Sequence, residues 1–127
     1  MIIPRLILNQ LQESLLPGKV LVLYGPRQVG KTTLARELIS SLPLKSKYIN
    51  ADELIYRDAL ASQDRAQLQE VSGDAELLVI DEAQRVPNIG INLKILVDNF
   101  PGLKILATGS ASFDLANKIS EPLTGPR

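Results

Sequence analysis

The chain lacks two residue types that carry much of protein chemistry, because none of its 127 residues is cysteine or histidine. Without cysteine it can form neither a disulfide bond nor a thiolate metal site. Without histidine it lacks the commonest metal ligand and the commonest general base. Any catalysis by this chain must therefore use carboxylates and a metal ion.

An excess of charge is also missing, since 14 basic residues balance 14 acidic ones. No overall electrostatic field therefore favours nucleic acid or an anionic membrane as a partner. No apolar run reaches membrane-spanning length, and the start, Met-Ile-Ile-Pro-Arg-Leu, lacks the basic region and cleavage site of a secretory signal. We therefore expect a cytoplasmic protein whose residues 1–127 form a single domain.

The strongest motif runs from Gly25 to Thr32 and fits the phosphate-binding pattern G-x-x-x-x-G-K-[ST]. A β-rich apolar run, 19–24, precedes it, and a helix-forming segment with leucines at four-residue spacing, 33–42, follows it. In this context, backbone N–H groups and the helix N-terminus can surround phosphate oxygens. Lys31 would reach the terminal phosphates and Thr32 would bind Mg²⁺. The predicted nucleotide-binding residues are Gly25, Pro26, Arg27, Gln28, Val29, Gly30, Lys31, Thr32 and Thr33, with Arg27 either touching phosphate or pointing to solvent.

A second motif places two carboxylates, Asp81 and Glu82, at the end of a predicted buried strand, 76–80. In an enzyme with a phosphate loop, Asp81 would hold Mg²⁺ through its water shell. Glu82 would point elsewhere and take a proton from the attacking water. Both could instead be solvated residues at a strand terminus, but the phosphate loop favours the catalytic interpretation.

A third predicted strand, 103–107, ends in small hydroxyl residues. Thr108 or Ser110 would contact the γ-phosphate or the attacking water, and the sequence does not decide between them. Alternatively, Ser110 or Ser112 caps a helix that begins near Phe113, since serine favours that position. The predicted catalytic residues are Glu82, Lys31, Thr108 and Ser110.

Together these segments resemble the AAA-type ATPase domain of a prokaryotic family whose members usually carry an additional C-terminal domain. The resemblance covers nearly the whole chain and rests on four segments: 25–33, 78–84, 86–90 and 107–112. It implies an AAA-like P-loop NTPase fold, a three-layer α/β sandwich with a parallel sheet in the strand order five, one, four, three, two. It also implies ATP and Mg²⁺ as cofactors. In the family, a segment similar to 119–125 continues directly into an arginine, whereas here Pro126 precedes Arg127.

The rest of the chain supplies further elements. Residues 4–16 predict a helix, and 47–50 predict a short second strand. Asn50 and Glu53 resemble a capping box that opens a helix. The polar, weakly periodic region 52–71 is expected to lie on the surface or to break near Ser62.

A better amphipathic helix runs from Ile89 to Phe100 and stops at Pro101-Gly102. We interpret its apolar stripe as core and not as a groove for a partner.

Strand counting indicates an incomplete sheet. The chain offers four candidate strands, 19–24, 47–50, 77–80 and 104–107, and what remains supplies one helix and no fifth strand. We therefore expect the N-terminal portion of a longer protein, truncated before the fifth strand and the lid. The phosphate-loop strand would then lie at an open edge and self-associate through it.

These motifs predict an ATPase that binds ATP and hydrolyses it with Mg²⁺. Hydrolysis would drive or switch an unidentified protein partner or the chain's own missing C-terminal domain. The main alternative is a nucleotide-binding scaffold or regulatory module with little turnover. A helicase-like motor fragment is less favoured, because no basic track for a nucleic-acid backbone is visible.

Overall fold

Helices and strands alternate along the chain in the computed structural model, which describes residues 5–24 and 31–109. In chain order the elements are α1 (Arg5–Ser14), β1 (Val20–Tyr24), α2 (Lys31–Ser41), β2 (Ser46–Asn50), α3 (Leu54–Leu60), α4 (Arg65–Ser72), β3 (Leu77–Asp81), a 3₁₀ turn (Ala83–Arg85), α5 (Ile89–Asn99) and β4 (Lys104–Gly109). The predicted α/β class is confirmed, and the element ends differ from the predicted ones by a few residues.

The four strands form one parallel sheet in the order β1-β4-β3-β2. This agrees with the order that the family resemblance implied for these strands. Within the described part of the chain, β1 and β2 are the outer strands and no fifth strand occurs. The prediction that the remainder of the chain adds no fifth strand concerns residues 110–127, which lie outside the described residues.

Helices cover both faces of the sheet, which gives the predicted three-layer sandwich. Alternate residues of β3 divide between the faces, as strand geometry requires. Leu78 and Ile80 join a core cluster with residues of α3, α4 and α5, whereas Leu77 and Val79 join one with residues of α1 and α2. Every residue of β3 is buried, which agrees with its continuous apolar run from Leu77 to Ile80.

The region after β2 forms two helices, with a break between Leu60 and Arg65. This agrees with the predicted break near Ser62. At the break Gln63 has a positive φ of 54°, and its backbone N–H donates to Oδ1 of the fully buried Asn92 at 2.7 Å. The break is thereby attached to α5.

The predicted capping box is wrong. The Oδ1 atom of Asn50 accepts a hydrogen bond from the backbone N–H of Asp52 at 2.9 Å, so Asn50 stabilises a turn. Helix α3 starts later, at Leu54, and the Glu53 side chain makes no capping bond.

The amphipathic interpretation of α5 is confirmed. Ile89, Leu93 and Leu96 are fully buried in the core, with Val97 and Phe100 packed against it. The helix ends at Asn99, just before Pro101-Gly102. Within residues 5–24 and 31–109, no helix is long and apolar enough to cross a membrane.

Candidate magnesium and catalytic site

Polar side chains from four elements meet at the carboxyl edge of the sheet. Asp81 is the last residue of β3, Thr108 lies near the end of β4, and Tyr48 is the central residue of β2, from which its long side chain reaches Asp81. Thr32 lies in the first turn of α2. In proteins with an open parallel sheet, ligands bind at this edge, because the loops that connect strands to helices leave a crevice there.

Asp81 is the centre of this group and accepts four hydrogen bonds. Its Oδ2 atom accepts one from Oγ1 of Thr32 at 2.8 Å and one from the Tyr48 hydroxyl. Its Oδ1 atom accepts one from Oγ1 of Thr108 and one from the backbone N–H of Glu82 at 3.1 Å. These four hydrogen bonds hold the carboxylate in one orientation. Asp81 is nearly buried, with 3% of the residue exposed.

These contacts shift the pKa values of Asp81 and Tyr48. Burial by itself would raise the pKa of Asp81, but the hydrogen bonds from Thr108, Tyr48 and Thr32 outweigh it and lower that pKa below its ordinary value. Asp81 is therefore ionised at neutral pH. Burial, followed by the contact with Asp81, raises the pKa of Tyr48 to about 12, so its hydroxyl keeps the proton that it donates.

Thr108 links the two carboxylate residues. Its fully buried hydroxyl donates to Asp81 and accepts from the backbone N–H of Glu82 at 3.3 Å. Since a hydroxyl has one hydrogen, this hydrogen is committed to Asp81. The contact of Thr108 with the γ-phosphate or the attacking water stays a prediction.

Glu82 leaves the strand abruptly. Its backbone is left-handed, with φ 57° and ψ 42°, in a region that costs a residue other than glycine about 1–3 kcal/mol. The Oε1 atom of Glu82 accepts a hydrogen bond from Nε2 of Gln84 at 2.7 Å. Glu82 is 9% exposed.

The side chains at this edge fit a magnesium ion. Mg²⁺ prefers oxygen ligands and usually takes only one or two from carboxylates, with the remainder from water and phosphate. Thr32 gives its hydrogen to Asp81, which leaves lone pairs of its hydroxyl oxygen for a cation. Asp81 and Thr32 are the residues that would hold the ion, and its binding here stays a prediction.

Several predicted site residues fall outside the described part of the chain. These are Gly25, Pro26, Arg27, Gln28, Val29, Gly30 and Ser110. The side chain of Lys31 is also outside it, although its backbone begins α2. Thr33 follows Thr32 in the first turn of α2 and is exposed.

Tyr48 is the residue that sequence reasoning missed. Its ring also carries the guanidinium of Arg36, whose Cζ lies 4.5 Å from the ring centroid. A signal was present, because the implied strand order makes the second strand a neighbour of the third. A long polar aromatic side chain on the former is then within reach of Asp81.

Comparison with known proteins agrees with the geometry. Residues 17–127 match the profile of a family described as AAA domain. Uncharacterized proteins of Mycobacterium bovis and Mycobacterium tuberculosis are each 39% identical over 118 residues, which are 91% of this chain and 25% of the relative. The chain thus spans a quarter of the length of these relatives.

The fold is also found in the crystal structure of a DNA replication initiation factor. The two align with a TM-score of 0.59 and 17% identity, over 95% of this chain and 43% of the other. By the profile match, the chain belongs to the AAA domain family and is a nucleotide-binding domain of the ATPase type.

Proposed function

We propose that the chain binds ATP with Mg²⁺ and hydrolyses it. The observation that carries the proposal is the 2.8 Å hydrogen bond between Oγ1 of Thr32 and Oδ2 of Asp81. It joins the helix that follows the phosphate loop to the carboxylate at the end of β3. Thr32 and Asp81 lie 49 residues apart in sequence, and the motifs that contain them would act on the same phosphates.

Each residue has one role in this proposal. The loop from Gly25 to Lys31 holds the phosphates, and Thr32 and Asp81 hold Mg²⁺. Mg²⁺, when bound, neutralises charge on the phosphate oxygens. Glu82 accepts the proton of the attacking water, for which its carboxylate must be ionised and within hydrogen-bond reach of that water.

The hydrolysis drives or switches something beyond this domain. The relatives are about four times as long as the segment that they share with this chain, which leaves room for a domain of their own to receive the change. We propose that further domain, or a separate protein partner, as the recipient.

A regulatory module with little turnover is the second candidate. It is favoured by the 2.7 Å contact between Nε2 of Gln84 and Oε1 of Glu82. A carboxylate that accepts this amide hydrogen is a poorer base than one directed at water. Nucleotide binding would then be the switch, with hydrolysis slow.

The test is nucleotide binding and phosphate release, with ATP and GTP compared side by side. Lys31→Ala removes a charge-assisted contact to phosphate and should weaken ATP binding by about 10- to 100-fold. Lys94→Ala is the matched control, because Lys94 pairs with Asp98 on the exposed side of α5. Equal ATP affinity in the two variants, measured by calorimetry with Mg²⁺, would exclude the phosphate-loop assignment. Tight ATP binding without phosphate release would favour the regulatory module.

A further inference from the structure

Tyr48 belongs to neither of the two sequence motifs, yet it contacts the centre of the site. Its hydroxyl donates to Oδ2 of Asp81, the same oxygen that accepts from Thr32. Two hydroxyl groups from different elements, β2 and α2, thus converge on one carboxylate oxygen. Removing either would leave that oxygen with fewer restraints on its position.

The sheet register explains how Tyr48 reaches Asp81. In the parallel pairing of β2 with β3, Tyr48 lies opposite Val79 and Asn50 lies opposite Asp81. Tyr48 packs against the cluster on the α1 and α2 face, to which Val79 also belongs. Residues two apart on a strand point to the same face, so Tyr48 and Asp81 share the face that carries α2.

Arg36 restrains the ring. It lies on α2, one turn after Thr32, and its guanidinium covers the Tyr48 ring at 4.5 Å. A cation over an aromatic face is attracted by the ring's electrons. Helix α2 therefore holds both ends of the arrangement, with Thr32 on the carboxylate and Arg36 on the tyrosine.

We infer that Tyr48 is a positioning residue for magnesium, whose hydroxyl keeps Oδ2 of Asp81 directed at Thr32. The inference rests on the proposed function, because it assumes that Thr32 and Asp81 hold the ion. Groups that orient metal-binding side chains in this way typically change metal affinity by about 10- to 100-fold when they are removed. In this proposal Tyr48 acts through Asp81 and is not itself a ligand of the ion.

The experiment uses Tyr48→Phe, which keeps the ring and its contact with Arg36 but removes the donor. Binding of a non-hydrolysable ATP analogue is titrated at increasing Mg²⁺ concentration, and again in EDTA. We expect the Mg²⁺ concentration at half effect to rise about tenfold. Affinity in EDTA should stay within about twofold, because no phosphate contact is lost.

Two variants frame the result. Tyr56→Phe removes a hydroxyl from α3, away from Asp81, and should behave as the parent. Asp81→Asn should abolish the response to Mg²⁺. If neither the parent nor Asp81→Asn responds to Mg²⁺, the proposed function fails.

The inference has its own failing outcomes. An unchanged Mg²⁺ midpoint in Tyr48→Phe, with Asp81→Asn unresponsive, would show that Tyr48 only packs. A lower midpoint would show that its hydroxyl competes with the ion's water shell. Thermal unfolding of Tyr48→Phe checks that the variant is folded, and Tyr48→Leu, which also removes the hydroxyl and brings no donor of its own, must then show the same direction of change.

Discussion

The polar residues differ between the carboxyl edge of the sheet, where the strands end, and its amino edge, where the strands begin. At the carboxyl edge, Asp81 and Thr108 are almost completely buried and are joined in one hydrogen-bonded network. At the amino edge, Nζ of Lys45 and Oδ2 of Asp74 form an ion pair at 2.8 Å, with side chains 63% and 83% exposed. Buried groups must satisfy one another, whereas exposed groups are satisfied by water.

A cleft of about 470 Å³ lies at the amino edge. Residues of the segments that precede β3 and β4 line it, among them Ser72, Glu76 and Phe100. Polar side chains do not converge there on a single buried carboxylate as they do around Asp81. A functional site in this protein is therefore better identified by buried polar groups that converge than by the volume of a cleft alone.

The largest expected effect compares one glutamate from each edge. Glu82→Gln removes the proposed base and should slow ATP hydrolysis by about 10² to 10⁴ while ATP affinity changes only a few-fold. Glu76→Gln, at the amino edge, keeps an oxygen to accept the 2.8 Å hydrogen bond from the Lys45 backbone N–H and should leave the rate unchanged. Single-turnover hydrolysis measures both. Parental hydrolysis by the Glu82 variant would make Glu82 a bystander and favour the regulatory module.

A smaller effect compares two buried hydroxyl groups. Thr108→Val leaves the Glu82 N–H and Oδ1 of Asp81 each with one partner fewer, and should lower the free energy of unfolding by about 1–3 kcal/mol. Ser72→Ala loses only a 3.2 Å bond to the Gln69 carbonyl, with an expected loss of about 0.5–1 kcal/mol. Urea unfolding measures both changes, and Thr108→Ser should restore most of the first. Equal losses in the two variants would show that burial, and not the network, sets the difference.

The smallest effect concerns acid. The pKa of Asp81 and that of Asp74 are both lowered from the ordinary value of 3.8, Asp74 by the hydrogen bond from Lys45. A lowered pKa stabilises the fold above the ordinary pKa, and this contribution is lost as pH falls through the folded-state pKa. Asp81→Asn should therefore flatten the acid side of the stability profile measured in EDTA, below about pH 4. Asp74→Asn should leave that profile almost parental, because solvent screens the exposed pair; a larger change for Asp74 would reverse the comparison.

Much of the site could be predicted because its residues lie in short, continuous sequence motifs. The phosphate-loop spacing located Thr32, and the buried run before Asp81 located the end of β3. Parallel strands meet at their carboxyl ends, so Thr32, Asp81 and Thr108 had to lie near one another, as the structure shows.

The rest depends on contacts that local order does not encode. Tyr48 reaches Asp81 only through the register of β2 against β3, which side-chain packing sets. The left-handed backbone of Glu82 depends on the 3₁₀ turn that follows it, and no glycine marks the position. Asn50 satisfied a capping pattern, yet its side chain bonds the nearer N–H of Asp52.

The pairing of β1 has a consequence for the order of folding. Among the described strands β1 pairs only with β4, with Val20 opposite Ile105, so almost the whole described chain separates the partners. Contacts between such distant residues form slowly, because the loop-closure entropy must be overcome first. During synthesis the phosphate loop is made before β4, and among the described strands β1 has no partner in the sheet until β4 has been made. Nucleotide, which stabilises only the state that binds it, therefore assists folding once β1 has paired with β4 and not before.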